Sequence, residues 1–347
     1  MPISVVNAGS VGDSVVQGVR NLIINNAFQI WQRGTSAKTV SGNDIFAADR
    51  FKGWANGGGT FTVEQSTDVP NNEFEFSAKL TNTATDGSVA AGDFYAYATD
   101  IEGYNVSQLA YGHSDAKAVT LSFWVKSSLA GTYCIALYST TANRSHIKEY
   151  TISSANTWEK KTITISSGDT TGSWNRTNGN GLRIYWDFGS GSTYQASADT
   201  WLASQDFSTT NQAAWIGSAS ATFYITGVQL EAGETATPFE HRSYGDELRR
   251  CQRYYYQTTD YIRYMSQGPV GSQAWEWIDL PVTMRAQPTG LVYGNQNEAD
   301  VGKAQQDGGD KETVNLYQSP FVLGLLCSSS TSGQNLQFWK IKVDAEL

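Results

Sequence analysis

Charged residues are scarce in this sequence. Asp, Glu, Lys and Arg make up 16% of its 347 residues, against about 25% in an average soluble protein. The balance is acidic, with a formal net charge of −9. Phosphate recognition needs clustered Lys and Arg, so a nucleic-acid partner is not expected. Attachment to an anionic membrane is disfavoured for the same reason. No apolar run approaches the ~20 residues that span a bilayer, so no membrane insertion is expected. The N-terminal stretch MPISVVNAGSVGDSVVQGV lacks a charged segment followed by a long apolar one, and reads as no secretory leader. Cysteine is limited to Cys134, Cys251 and Cys327. Their odd number and wide spacing argue against a disulfide framework or a zinc site. Buried, reduced thiols and synthesis in a bacterial-type cytosol are expected instead. His113, His146 and His241 occur singly, with no HExxH pair. A GxSxG elbow and a P-loop are both missing. Gly57-Gly58-Gly59 precedes a strand rather than a helix, so it reads as a turn and not as a phosphate cradle.

What fills the sequence is apolar residues, 40% of the total, set among Ser, Thr, Asn, Gln and Gly. Such polar residues suit strand faces and turns better than helix surfaces. The length suits two modules of roughly 100–200 residues. Period-2 alternation marks Thr60–Glu64, Val119–Lys126, Lys161–Ile165, Leu182–Trp186 and Ala221–Leu230. In the second of these, Leu121, Phe123 and Val125 share one face, while Ser122, Trp124 and Lys126 share the other. Turn clusters at 56–59, 167–169 and 178–181 separate such runs. Asn21–Arg33 is dense in apolar residues and reads as a first strand. Ser243–Gln257 reads as a helix, with Ser243 as N-cap and Asp246 three residues on. Leu248, Cys251 and Tyr255 would form its buried stripe and Arg249, Arg250 and Arg253 its polar side. Alternation resumes at Ala274–Pro281 and Leu336–Val343, with Gly294–Glu312 as a long exposed loop between them.

The expected fold is therefore all-β: two antiparallel, jelly-roll-like β-sandwich modules joined by a short α-helix, preceded by an extended N-terminal arm. The expected divisions are 1–20 for the arm, 21–240 for the first sandwich, 241–257 for the helix and 258–347 for the second sandwich.

Aromatic residues are the most informative chemistry: 11 Trp, 18 Tyr and 14 Phe. Trp and Tyr are rigid and amphipathic and stack on the apolar faces of sugar rings. Trp124 lies on the polar face of its strand, and Trp158, Trp174, Trp186 and Trp201 sit among Asn, Thr, Gly or Asp. These five are the glycan-contact candidates; the competing reading places each in the core or a subunit interface. Arg33 with Asp49 and Arg50 reads as a structural brace between strand ends. Asp93, Asp100 and Glu102 are the carboxylates to inspect for glycosidase chemistry, which uses two of them.

Several long stretches resemble a widespread group of phage tail-fibre-like virion proteins. Asn21–Thr35 (NLIINNAFQIWQRGT) with Ala48-Asp49-Arg50-Phe51 is similar to the group's opening. Ile225–Gly233 (ITGVQLEAG) with Ala236–Ser243 (ATPFEHRS) is similar to its closing strand and exit. Glu247–Tyr255, Leu280–Thr289 and Asp344–Leu347 continue the likeness to the end of the chain. The first module also resembles the carbohydrate-binding jelly rolls attached to glycanases. Those jelly rolls often hold a structural calcium, but no ligand set for one is identifiable here, and no cofactor is expected.

The resemblance implies a non-enzymatic virion structural protein, made in the host cytoplasm and carried on the particle surface, tail or head. Its partners would be other virion proteins, host cell-surface glycan and copies of itself in a homotrimer. Threefold symmetry has a physical motive. One millimolar sugar site contributes about −4 kcal/mol, and joining several raises avidity by roughly 10²–10⁴. No heptad, collagen or β-helix repeat is present to build a shaft. A compact knob is expected: a tail fibre or tail appendage for host adsorption, or alternatively a capsid decoration or head-fibre protein.

Overall fold

The computed structural model describes residues 20–258, 262–263, 273–293, 301–306, 311–328, 336–338 and 340–347. The arm expected over 1–20 lies, apart from Arg20, outside the described residues. The first module is a jelly-roll-like sandwich of two antiparallel sheets. One sheet has six strands in the order β1 (Lys38–Val40), β4 (Thr60–Ser66), β5 (Ser77–Ala84), β13 (Thr222–Ala232), β7 (Val119–Ser127) and β10 (Glu159–Ile165). The other has seven: β12 (Trp201–Leu202), β9 (Arg144–Ile152), β8 (Gly131–Ser139), β11 (Asn180–Ser190), β6 (Phe94–Glu102), β3 (Phe51–Asn56) and β2 (Ile45–Phe46). Between them lies a core in which Leu121, Phe123 and Val125 of β7 meet Leu182, Ile184 and Trp186 of β11. Alternation on β7 thus sends the apolar set inward and leaves Trp124 and Lys126 partly exposed, as read from the sequence.

Asn21–Arg33, expected as a first strand, is instead a run of turns and loop. Its asparagines take the place of a strand ladder. The Asn21 side chain donates to the Val228 carbonyl (2.9 Å) and accepts from the Leu230 N–H (3.1 Å). Asn25 adopts a left-handed φ of 59°, and its amide donates to the carbonyls of Ile30 (2.8 Å) and Asp49 (2.9 Å). The helix is also shorter than expected. Ser243 caps it by accepting from the Asp246 N–H (3.2 Å), but it ends at Gln252. Tyr255–Gln257 form β14, which pairs with β22 (Lys340–Asp344); Tyr256 packs on the second core while Tyr255 covers Arg33.

The second module has two antiparallel sheets. One is β14–β22–β17, with β17 at Thr289–Tyr293. The other runs β15 (Ile262–Arg263), β21 (Leu336–Phe338), β18 (Lys303–Gln306), β19 (Lys311–Gln318), β20 (Val322–Ser328) and β16 (Gln273–Asp279). Val292, Leu323, Leu325, Ile341 and Val343 form its core. The loop expected over Gly294–Glu312 is in part ordered pairing, since Lys303–Gln305 pair with Lys311–Thr313. Gln306 pairs with Leu336, and the rest of that stretch is split between Val301-Gly302 and residues outside those described. All three cysteines are buried and unbridged.

The two modules are joined by buried charge. Arg33 reaches Asp344 (3.0 Å) and Glu346 (3.3 Å), and Tyr255 stacks on its guanidinium at 3.5 Å. Arg50 pairs with Glu346, donates to the Asp100 carbonyl (2.6 Å) and lies 3.5 Å over the Tyr254 ring. Lys52 pairs with Asp100 (2.5 Å) and donates to the Leu347 carbonyl (2.8 Å). Arg253 holds Glu102 through two nitrogens (2.6 and 2.9 Å), so one of the three helix arginines is an internal tie rather than a solvated one. Asp49 accepts from the Gln32 N–H (3.0 Å) and stands 3.8 Å from Arg33. Burial pushes its carboxyl up to about 7, more than Arg33 and Gln32 offset at that distance.

Two outcomes follow. Arg50→Met leaves buried Glu346 with Arg33 alone and the Asp100 carbonyl without its donor, and should lower unfolding free energy by roughly 1–3 kcal/mol, read by urea denaturation; an unchanged midpoint would contradict the tie. Asp100 supplies a pH signature. Burial pushes its carboxyl up, but Arg183 and Lys52 outweigh that and hold it down at about 2. A depressed folded value stabilises above the ordinary carboxylate range, and that stability is lost as pH falls through 2. The native protein should therefore lose about 2 kcal/mol more than Asp100→Asn between pH 4 and pH 2; parallel acid profiles would contradict the ion pairing.

Candidate functional site

A two-sheet sandwich has two outer faces, and here they differ. On the central strands of the seven-stranded sheet the outward side chains are themselves buried, while Glu149 and Thr151 on β9 face solvent. Trp54, Phe94, Ala96, Ala136, Tyr138 and Tyr185 form a second apolar layer, closed by Phe207 and Tyr194 from the segment after β11. Phe207 packs on Tyr185 at 4.2 Å between ring centroids and on Tyr194 at 5.1 Å. Under this flap Asp187 accepts from the hydroxyls of Ser190 and Ser208, and burial pushes its carboxyl up to about 7 despite those bonds. The remainder of the face is covered by the Arg50, Lys52 and Arg183 network. The three inspected carboxylates do not converge on a reaction centre. Asp100 and Glu102 are consumed by cations. Asp93 precedes the nine-residue β6, at whose far end Glu102 stands. That strand is about 30 Å long, whereas paired glycosidase acids lie roughly 5–10 Å apart.

Two of the five tryptophan candidates are corrected by burial. Trp186 is fully enclosed between the sheets, with Phe51 and Phe123 against it at 6.4 and 5.7 Å. It alternates inward with Ile184 and Phe188, so the polar neighbours that suggested exposure belong to the opposite face. Trp174 is 8% exposed and packs edge-on against Tyr111 at 4.8 Å. Trp201 is half-buried and leans on the same cluster, 5.7 Å from Trp174 and 5.0 Å from His146. Its indole N–H is used on the Ser167 carbonyl (3.0 Å).

Trp124 and Trp158 stand on the outer face of the six-stranded sheet. Trp158 donates its indole N–H to Asp68 (2.9 Å) and meets Tyr224 edge-on at 6.1 Å. The Lys126 ammonium lies 4.2 Å over Tyr224 and pairs with Asp68. Slight burial pushes the Asp68 carboxyl up, but the bonds from Lys126 and Trp158 outweigh it and hold it below its ordinary value. Trp124 is flanked across the sheet by Lys160 on β10 and Thr226 on β13. Beside it opens a cleft of about 400 Å³, floored by Ser122, Trp124, Lys160 and Gly227 and walled by Glu73, Phe74 and the Ala236–Phe239 exit. Phe74 and Phe239 pack edge to face at 5.0 Å.

A β-bulge shapes this cleft. The β13–β7 register shifts between Thr226 and Gln229, and Gly227 takes a φ of 62° there. A Cβ at Gly227 would lie 2.7 Å from the Phe74 ring and 3.1 Å from Trp124. The glycine is what lets both rings close on the floor. Phe74, Phe239, Lys160 and Gly227 were not singled out from the sequence. Lys160 was within reach, since it shares a strand face with Thr162, opposite to Ile163.

One other oxygen-rich cluster invites comparison with a cation site. The carbonyls of Asn21 and Ile23 and the carboxylates of Glu240 and Glu247 converge on one point, and the guanidinium of Arg242 fills it, 2.8 Å from the Ile23 oxygen and 3.0 Å from Glu240.

No protein-family model and no curated protein matches the sequence. Several solved structures are similar to part of the chain. The enzymatically active domain of the bacteriophage CBA120 tailspike protein 4 is 12% identical with a TM-score of 0.33, over 61% of this chain and 21% of that one. The chain thus spans about a fifth of that protein's length. The family 11 carbohydrate-binding module of the cellulosomal cellulase Lic26A-Cel5E from Clostridium thermocellum is 12% identical with a TM-score of 0.31, over 60% of this chain and 99% of that one. The xylan-binding CBM22-1 domain of Paenibacillus barcinonensis Xyn10C is 11% identical with a TM-score of 0.28, over 58% and 98%. At such identities and scores the likeness bears on neither ligand nor activity.

Gly227→Ala should cost about 1–3 kcal/mol, from a left-handed φ and a collision with Phe74. Chemical denaturation reads it, and native stability in the variant would contradict the bulge's role.

Proposed function

We propose that this chain is a structural protein on the surface of a bacteriophage particle, a tail fibre or tail appendage that adsorbs to host surface glycan and performs no catalysis. The observation that carries the binding half is the Trp124 cleft. An indole on a flat strand face offers a stacking plane, and Ser122, Glu73 and Lys160 around it supply hydrogen-bonding groups of both senses. Such a mixture of apolar floor and few polar groups suits a sugar ring, which has an apolar face and a polar rim. The virion half rests on the sequence stretches at residues 21–35, 48–51, 225–243 and 247–255. The chain acts as a homotrimer, because a shallow cleft binds weakly and repetition raises avidity.

A capsid-decoration or head-fibre role is the second reading. The compact joining of two modules by buried charge, with no repeat in the sequence to form a shaft, favours a short knob over a long fibre.

Trp124→Ala should abolish retention on immobilised host-envelope polysaccharide while leaving the circular dichroism spectrum unchanged; equal retention of native and variant protein would overturn the cleft. Gold-labelled antibody against the chain should decorate the tail in electron micrographs of whole particles. Uniform label over the head would replace the tail reading with the capsid one.

A further inference from the structure

The charges around the cleft are unevenly compensated. Strands β5, β7 and β10 carry four lysines: Lys79, Lys126, Lys160 and Lys161. Three are neutralised within the fold. Lys79 pairs with Glu64 at 2.7 Å, Lys126 with Asp68, and Lys161 with Glu159 at 2.5 Å. Lys160 is exposed and has no carboxylate within ion-pair distance among the described residues. It is also the lysine that lines the cleft, directly across the sheet from Trp124.

The carboxylate that lines the cleft is at its other end. Glu73 accepts from the Asn71 amide (3.3 Å). Its neighbour Phe74 sits over Gly227 on β13, two strands from Lys160 on β10. Two strand spacings are about 10 Å. The cleft therefore has an ammonium at one end, a carboxylate acceptor at the other and an indole between. A neutral sugar would leave the ammonium unused. A sugar bearing a carboxylate would pair it, while its hydroxyls donate to Glu73.

Resting on the glycan reading of this cleft, we infer that its ligand is an acidic saccharide of the uronic or sialic type, whose carboxylate pairs with Lys160 while the ring stacks on Trp124. A charge-assisted contact of this kind is worth more than a neutral hydrogen bond. It also weakens with salt, because Lys160 is solvent-facing.

Titration calorimetry on the whole protein tests this. The acidic probes are polygalacturonate, hyaluronan and polysialic acid. The neutral probes are dextran, mannan and fully methyl-esterified polygalacturonate, which keeps the backbone and removes the charge. Native protein should bind at least one acidic probe and prefer polygalacturonate to its ester if that is the one. Lys160→Ala should weaken the acidic probe roughly tenfold, Lys160→Arg should restore most of it, and Trp124→Ala should lose binding altogether. Binding to neutral probes that Lys160→Ala leaves unchanged, with no acidic preference in the native protein, would overturn the acidic assignment and keep the glycan reading. No binding to any probe by the native protein would overturn both.

Discussion

The structure depends on one constraint: the outer face of the seven-stranded sheet is closed by the chain itself. Phe207 and Tyr194 seal one half over Tyr185, and the ion network around Arg50 seals the other. Burying a sheet on both sides makes its strands apolar throughout. β6 is buried at every one of its nine positions, and β8 at its last seven. That closure leaves the outer face of the six-stranded sheet as the side where Trp124 and Trp158 meet solvent. The cleft that remains on the other face, between Glu149 and the Gln195–Ala198 and Thr209–Asn211 segments, is lined by no aromatic ring.

The same constraint explains how a chain poor in charge uses the charge it has. Arg33, Arg50, Lys52, Arg183 and Arg253 are placed where the modules meet, against Asp100, Glu102, Asp344 and Glu346. Buried ion pairs add little net stability compared with apolar packing. Their effect here is geometric, because each guanidinium is fixed by two or more partners, and those of Arg33, Arg50 and Arg183 also by an aromatic face. The second module is thereby held in one orientation on the first. Arg242 ties the start of the first module to its exit, where its guanidinium gathers the oxygens of Asn21, Ile23, Glu240 and Glu247.

Much of the fold was legible in the sequence because half-exposed strands alternate. β4, β7, β10, β11 and β13 were read from that pattern, as was β16, and the Ser243 cap was read from Asp246 three residues on. β3, β5, β6, β8 and β9 escaped, and of these β6 and β8 are buried on both faces. Asn21–Arg33 misled for a different reason. Its apolar density is that of a strand, but asparagine side chains satisfy the backbone and turn it. The Arg33, Asp49 and Arg50 cluster was visible as a motif, while its partners Asp344 and Glu346 lie some three hundred residues away. Among the tryptophans, local polarity was a poor guide. Trp186 has the neighbours of a surface residue and the position of a core one, because only the strand phase decides. Trp124 was placed on the outer face from its phase, and Gly227 and Phe74 could not be joined to it without the register of β13.

Hydroxyl-radical footprinting of the unliganded protein, read residue by residue by mass spectrometry, tests the closure most directly. Trp124, Trp158 and Phe239 should oxidise readily, while Trp54, Tyr185, Phe207 and Trp186 stay protected. Rapid oxidation of Tyr185 and Phe207, at rates matching Trp124, would mean that the seven-stranded face is open and that the site has been placed on the wrong side of the sandwich.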